Sequence, residues 1–472
     1  MEERTQAKRK WAKLIICLVF GLLLSGLAPV GAPAVGWNVF SVFASVLLSF
    51  VLRPLPMGPM VLLGLVCLSA SGTIPLSEAL AGYGDTTVWL VVAAFLVAGA
   101  VVRTEFGKRV ALTLVSALGK SMLGLGYAIC GAELLLGPVV PSNTARGGGI
   151  MAPIVHSLSQ ALGSRPDSEP QRAGSWLALL GAHANLIAAA MFLTGMAANP
   201  LVARAADDVL GVELSWGAWA LGALVPGLAG MALLPLVLFR LNPPQLVDAE
   251  PARQKAREEL KRMGKWSRNE KLMAFTFVVL ILLWTTKSVH GLGTSLVAWI
   301  GVCLLFLSGA ESWEDMTSNM RAWDTLIWLG GLLAMANALK NHGFIAWFSE
   351  SVSHAVTGFD GLAVILILAL IYFYSMYAFS MLTAHISAMV AAFMVVALAT
   401  GAPPMLTAVL LAYFSNLCAC TTNYSSGPVI IYFGLGYVPV QRWFTTGFLI
   451  SLFHLAIWLG LGLPWWKFLG WW

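Results

Sequence analysis

Ser142-Asn143-Thr144 lies inside an apolar stretch, with Pro138 and Pro141 before it and Gly147-Gly148-Gly149 after it. Two hydroxyls and an amide, with backbone N–H groups freed by a turn broken by Pro and Gly, form a donor set that suits a carboxylate. A helix starting there adds the positive end of its dipole. Just beyond the turn, Arg146 places a guanidinium in an apolar segment, where charge is costly and usually functional. Arg146 either faces the same site or pairs with Glu133.

The arrangement returns 239 residues later. Asp85-Thr86-Thr87-Val88-Trp89-Leu90 is followed, 53 residues after its Trp, by Ser142. Asp324-Thr325-Leu326-Ile327-Trp328-Leu329 is followed at the same interval by Met381-Leu382-Thr383-Ala384-His385. Thr383 and His385 thus correspond to Thr144 and Arg146, while Met381-Leu382 replaces Ser142-Asn143. A further pair, offset by 228, aligns Thr194-Gly195-Met196-Ala197-Ala198-Asn199-Pro200 with Thr422-Asn423-Tyr424-Ser425-Ser426-Gly427-Pro428. Small, polar and Pro residues near the end of an apolar span interrupt a helix and free backbone groups to face a ligand; the alternative is a Pro that merely ends the span. The candidate binding residues are therefore Ser142, Asn143, Thr144, Thr383, Thr194, Asn199, Thr422 and Pro428. Arg146 and His385 are candidate charge-compensating groups. His385 is otherwise a hydrogen-bonded core histidine, and His183, which has no counterpart, reads as structural.

The elements that position these residues follow from composition. The chain is 58% hydrophobic and 11% charged, with a mean hydropathy of +0.81, against about 25% charged in a soluble domain. Apolar runs near the ~20 residues needed to cross a bilayer must be helices, because lipid offers the backbone no partner. Spans are expected at about 12–31, 36–53, 58–74, 86–103, 174–199, 217–239, 272–287, 293–309, 323–340, 403–424 and 443–464. The stretches near 121–160 and 362–400 carry an interruption in their middle and read as re-entrant hairpins. The expected fold is an all-α polytopic membrane protein of about 11 spans, with an N-terminal segment and first span (1–35), repeat 1 (36–239), a basic linker (240–271) and repeat 2 (272–472). The broken helices fall at 174–199 and 403–428.

Basic residues cluster at 4–13, 103–120 and 253–271. All three stretches fall on one face, which is then cytoplasmic, with the amino terminus inside and the carboxyl terminus outside. An odd number of spans separates each repeated pair, so the second repeat is inverted and the hairpin tips can meet near the midplane. The net charge of +6 reflects topology and gives no reason to expect nucleic acid. The six cysteines match no zinc or redox spacing and read as small buried apolar residues.

The strings Pro141-Ser142-Asn143-Thr144-Ala145-Arg146-Gly147, Thr383-Ala384-His385 and Gly427-Pro428-Val429-Ile430-Ile431-Tyr432-Phe433-Gly434 resemble the divalent anion:sodium symporter family of di- and tricarboxylate carriers. Within it they look closest to the exchanger branch of citrate–succinate and tartrate–succinate antiporters and 2-oxoglutarate/malate translocators. The resemblance covers most of the chain. It implies a homodimer in which a mobile transport domain carries the hairpins past a fixed scaffold, with carboxylate held by Ser142, Asn143, Thr144 and Thr383 near the two broken helices. In sodium-coupled members the tips and these segments also hold Na⁺, and Met381-Leu382 departs from that pattern.

The sequence thus points to a secondary transporter of di- or tricarboxylates in a bacterial inner membrane, exchanging them without a cofactor. A Na⁺-coupled symporter, with Na⁺ near Ser142, Asn143 and Thr383, is the alternative within transport. An anion channel or a membrane sensor is the alternative from another class. An enzyme is not expected, since no metal cluster or nucleophile–base pair is present in the sequence.

Overall fold

The computed structural model describes residues 2–355 and 360–472, and apart from one isolated bridge between Ser121 and Asp248 the described residues form helices and turns. After α1 (Glu2–Gly26) comes a first series: α2 (Ala34–Leu52), α3 (Met57–Ala70), the short α4 (Leu76–Leu80), α5 (Thr86–Arg103), α6 (Phe106–Leu118) and α7 (Met122–Leu136). It continues with a π-helical segment (Thr144–Met151) running into α8 (Ala152–Ala161), then α9 (Gly174–Met191), α10 (Asn199–Leu210) and α11 (Trp216–Leu241). A polar connector, α12 (Glu250–Met263), leads to the second series. This holds α13 (Arg268–Thr285), the one-turn α14 (Lys287–His290), α15 (Thr294–Leu307), α16 (Trp313–Thr317), α17 (Met320–Asn341) and α18 (Phe344–Ala355). It ends with α19 (Gly361–Ser375), α20 (Leu382–Ala399), α21 (Pro404–Leu417), α22 (Gly427–Gly434), α23 (Val440–Gly460) and α24 (Gly462–Phe468).

Apart from α14 and α24, the two series match in order, from α2 with α13 and α3 with α15 through α10 with α22 and α11 with α23. Packing is reciprocal, as an internal two-fold requires: α3 lies on α17 while its counterpart α15 lies on α5, and α5 meets α17. The centre is the repeat-related pair α9 and α21. Every residue of α9 is buried, as is α21 from Leu406 onward. Small residues make this possible by letting neighbouring backbones approach; a Cβ on Gly181 of α9 would stand 2.5 Å from the Tyr432 hydroxyl.

Local signals set the helix starts. Asp85 accepts from the Thr87 amide to cap α5, and Ser267 with Glu270 forms a capping box at α13. The repeated Asp-Thr string nevertheless plays two roles: Asp324 lies one turn inside α17, whose cap is Asn319. Pro200 and Pro428 sit in the first turns of α10 and α22, where a missing N–H costs nothing.

Among the described residues, nine helices are long and apolar enough to cross a membrane, and three more are shorter apolar helices. Each expected span corresponds to a helix. The length argument for the second hairpin does not hold, since α20 alone has 18 residues, about 27 Å of helix. The turn between α19 and α20 bonds into the protein through the Leu382 amide. Four cysteines are buried as expected, but Cys67 and Cys303 lie exposed on their helices; all six thiols are free.

Candidate substrate-binding site

Four helices begin at the same place. The π-helical segment starts after the first tip, α20 after the second, and α10 and α22 after the breaks in the two central helices. The second tip is joined to the second break by the Leu382 amide, which donates to the Ser425 carbonyl at 2.8 Å. The first tip abuts α22 closely enough that a Cβ on Gly427 would strike the Thr144 hydroxyl. A Cβ on Gly147 would stand 2.6 Å from Asn185 Nδ2 and 3.0 Å from Pro428 Cβ. The two breaks are tied by Asn416 Nδ2, which donates to Asn199 Oδ1 at 2.8 Å. Each of the four starts carries the positive end of its helix dipole.

Arg146 is wholly buried behind the first tip. Its Nε donates to Glu133 Oε2 at 2.7 Å, Nη1 to the carbonyls of Val140 (2.9 Å) and Gly195 (3.0 Å), and Nη2 to that of Asn185 (3.3 Å). The Asn185 amide in turn bridges Glu133 Oε2 (2.9 Å) and the Asn143 carbonyl (3.2 Å). A network of this kind fixes the tip against the first break, since losing one partner would strand a buried charge.

The offset of 239 carries Glu133 to Tyr372 and Arg146 to His385, and the second pair is also in contact, through ring packing and a backbone hydrogen bond rather than an ion pair. The His385 ring lies 4.4 Å from the Tyr372 ring, and its Nε2 donates to the Tyr372 carbonyl at 3.0 Å. Ser375 Oγ stands 2.8 Å from the same nitrogen. Tyr372 also shares a hydrogen bond with Ser415 on α21, at 2.7 Å, as Glu133 does with Asn185 on α9.

Neither cation is the free charge that the sequence suggested. Glu133 lies against the Arg146 guanidinium. His385 Nδ1 is buried without a partner, so a protonated ring would leave an N–H with no acceptor, and the geometry suits the neutral tautomer. The physical reason is common to both: an ionised group this deep needs a counter-charge or enough acceptors.

The remaining candidates divide by what already holds them. Thr194 Oγ1 donates to the Pro138 carbonyl and accepts from Trp216 Nε1. Asn199 donates to the carbonyls of Ala189 (2.9 Å) and Phe192 (3.0 Å). Both therefore close the first break. Ser142 Oγ accepts from the Ala145 amide at 3.1 Å. Pro428 is buried at the start of α22. The Thr422 hydroxyl is buried with no partner, as is that of Ser426, which sequence reasoning missed. Thr144 and Thr383 are partly exposed. Asn185 was also missed, although its near-register with Asn416 could have pointed to it. Among the described residues no group of three or more His, Cys, Asp or Glu could hold a metal ion.

The chain is similar to known membrane transporters. Residues 8–472 match the family described as the sodium:sulfate symporter transmembrane region. YflS of Bacillus subtilis, provisionally named a malate transporter, is 40% identical over 469 residues, covering 99% of this chain and 98% of its own. Dicarboxylate transporter 1 of Spinacia oleracea chloroplasts is 39% identical over 448 residues, covering 94% of this chain and 79% of its own. The inner membrane protein YbhI of Escherichia coli is 33% identical, covering 98% and 99%. The solved YdaH transporter of Alcanivorax borkumensis shares the fold with a TM-score of 0.56, over 85% of this chain and 90% of that one, at 13% identity.

Proposed function

The chain belongs to the sodium:sulfate symporter family of multi-pass membrane transporters, and from that premise we propose that it exchanges dicarboxylates across a bacterial inner membrane without sodium. The observation that carries this reading is the seat of Arg146. Its guanidinium fills the space where the carbonyls of Val140, Asn185 and Gly195 converge. A hard cation is bound by such oxygens, and here a fixed side chain already takes them. At the second tip, Met381-Leu382 offers no side-chain oxygen.

Charge compensation then falls to the backbone. Four helix starts at about +0.5 each provide about +2, which matches a dicarboxylate dianion. Asn143, Thr144, Thr383, Thr422 and Ser426 supply hydroxyls and an amide to orient it. An empty transport domain would carry these dipole ends and unpaired hydroxyls through an apolar interface, whereas the loaded one crosses neutral. Obligatory exchange follows from that difference. The hairpins and the two broken helices form the moving body in this reading, working within a homodimer whose amino termini face the cytoplasm.

The test is uptake of labelled succinate, malate, 2-oxoglutarate, citrate and tartrate into proteoliposomes, empty or preloaded with unlabelled acid, with and without Na⁺. The expected result is uptake that requires internal acid and ignores Na⁺. Na⁺-driven uptake into empty vesicles would overturn the exchange reading in favour of symport.

A further inference from the structure

Two cavities of the molecule are related by the internal repeat. One, of about 410 Å³, is lined by α5, α6, the π-helical segment, α8 and α12. The other, of about 370 Å³, is lined by the counterparts α17, α18 and α20, together with α2 and α10. Each runs along the second arm of a hairpin, away from its tip. The second begins one turn beyond the second tip, at Ile386 and Ser387, and two residues beyond the start of α10, at Leu201. Ser387 Oγ lines it without a partner.

Charge breaks the symmetry. The first cavity has Lys108 and Lys255 balanced by Glu105 and Glu259. The second has Arg204 and Lys340 against Asp208 alone. Asp208 divides its two oxygens between them: Oδ2 accepts from Arg204 Nε at 2.9 Å and Oδ1 from Lys340 Nζ at 2.7 Å. Arg204 and Asp208 are one turn apart on α10 and move together. Lys340 is on α17, so its bond crosses from one body to the other. At the far end of the same interface, Arg53, just after α2, donates from Nη2 to the Ser380 carbonyl of the second tip at 2.8 Å.

We propose that Lys340 alternates between two anions, sealing the non-cytoplasmic cavity through Asp208 in this conformation and drawing in the external dicarboxylate when α10 moves away. This rests on the carrier reading above and adds its sidedness. In the conformation described, the second tip is held at the end of α2 that the basic stretches assign to the cytoplasm, and the opposite mouth is latched. When α10 shifts with the transport domain, Asp208 leaves with Arg204 and keeps it neutral. Lys340 is then an unpaired cation at the mouth of an otherwise apolar passage to the tips. An exposed charge of this kind raises the local concentration of an oppositely charged solute, and salt screens it. The cytoplasmic cavity, with balanced charges, has no equivalent.

The experiment measures carboxylate exchange in right-side-out and inside-out membrane vesicles, at low and high ionic strength. It compares the wild type with Lys340→Gln, Lys340→Arg and Asp208→Asn. Wild-type exchange itself tests the carrier reading; its absence would remove that reading and this inference with it. Given wild-type exchange, Lys340→Gln is expected to raise the external half-saturation concentration about two- to fivefold at low salt and leave the internal one unchanged. Lys340→Arg should stay near wild type, and Asp208→Asn should lower the external value. A shift equal on both faces, or no shift in Lys340→Gln, would overturn the proposal, because a merely structural ion pair has no reason to act on one side.

Discussion

At the residue scale, the most constrained unit is the buried triad of Glu133, Arg146 and Asn185. Arg146→Gln leaves the Glu133 carboxylate without its counter-charge, and breaking a buried pair in this way costs about 3–5 kcal/mol. Adding Glu133→Gln should recover part of that loss, so the double variant should unfold at a higher temperature than the Arg146→Gln single variant. Additive losses in detergent-solubilised protein would mean that the two side chains do not depend on each other. Thr422 and Ser426 lead to a different expectation. Their hydroxyls are buried and unpaired, so under the proposed carrier function Thr422→Val should remove a substrate contact without stranding any protein group. Its half-saturation concentration should rise roughly three- to tenfold, with the unfolding temperature within a few degrees of wild type. A large drop in unfolding temperature would instead assign the hydroxyl to structure. Arg146 and the tip donors were legible from residue type and position. That the guanidinium is neutralised was left open, because sequence gives no distance between Glu133 and Arg146.

At the element scale, the site depends on helices meeting end to end with glycine between them. Gly427 must remain without a side chain, because a Cβ would meet Thr144 Cγ2 at 2.8 Å and Cβ at 3.1 Å as well as the hydroxyl. Gly427→Ala should therefore abolish exchange by separating the first tip from α22. Thr144→Ser beside it removes the methyl but keeps the hydroxyl in the way, so it should not restore transport; full activity of that double variant would show that the contact is loose. The interruptions between α7 and α8 and between α19 and α20, and the breaks after α9 and α21, were foreseeable from Pro, Gly and polar residues within apolar runs. The amphipathic α6 was not, because a short helix that lies on a bundle lacks a strong hydropathy signal.

At the scale of the whole molecule, the two repeats are stapled where the connector ends. Arg109 of α6 donates to both oxygens of Glu270 on α13, to Oε2 at 3.2 Å, and to the carbonyls of Met263 (3.4 Å) and Gly264 (3.0 Å). Burial alone would raise the Glu270 carboxyl, but hydrogen bonds from Arg109 and Ser267 outweigh it and hold the group below the usual carboxylate value. A depressed pKa stabilises the fold above the ordinary carboxylate range, and that contribution disappears as pH falls through the lowered value. Glu270→Gln should thus lower the unfolding temperature at pH 7, and its midpoint should fall less steeply than wild type on acidification. Parallel pH profiles would exclude Glu270 as the source. By itself the sequence determined the membrane class, the helix content, the duplication and the residues at each interruption, because hydropathy and backbone satisfaction in lipid are local constraints. Only the tertiary structure decided which donors remain free for a ligand, that Glu133 and Tyr372 hold Arg146 and His385, and that one cavity carries an excess positive charge. Those outcomes depend on distances between segments tens to hundreds of residues apart, and packing sets such distances in three dimensions.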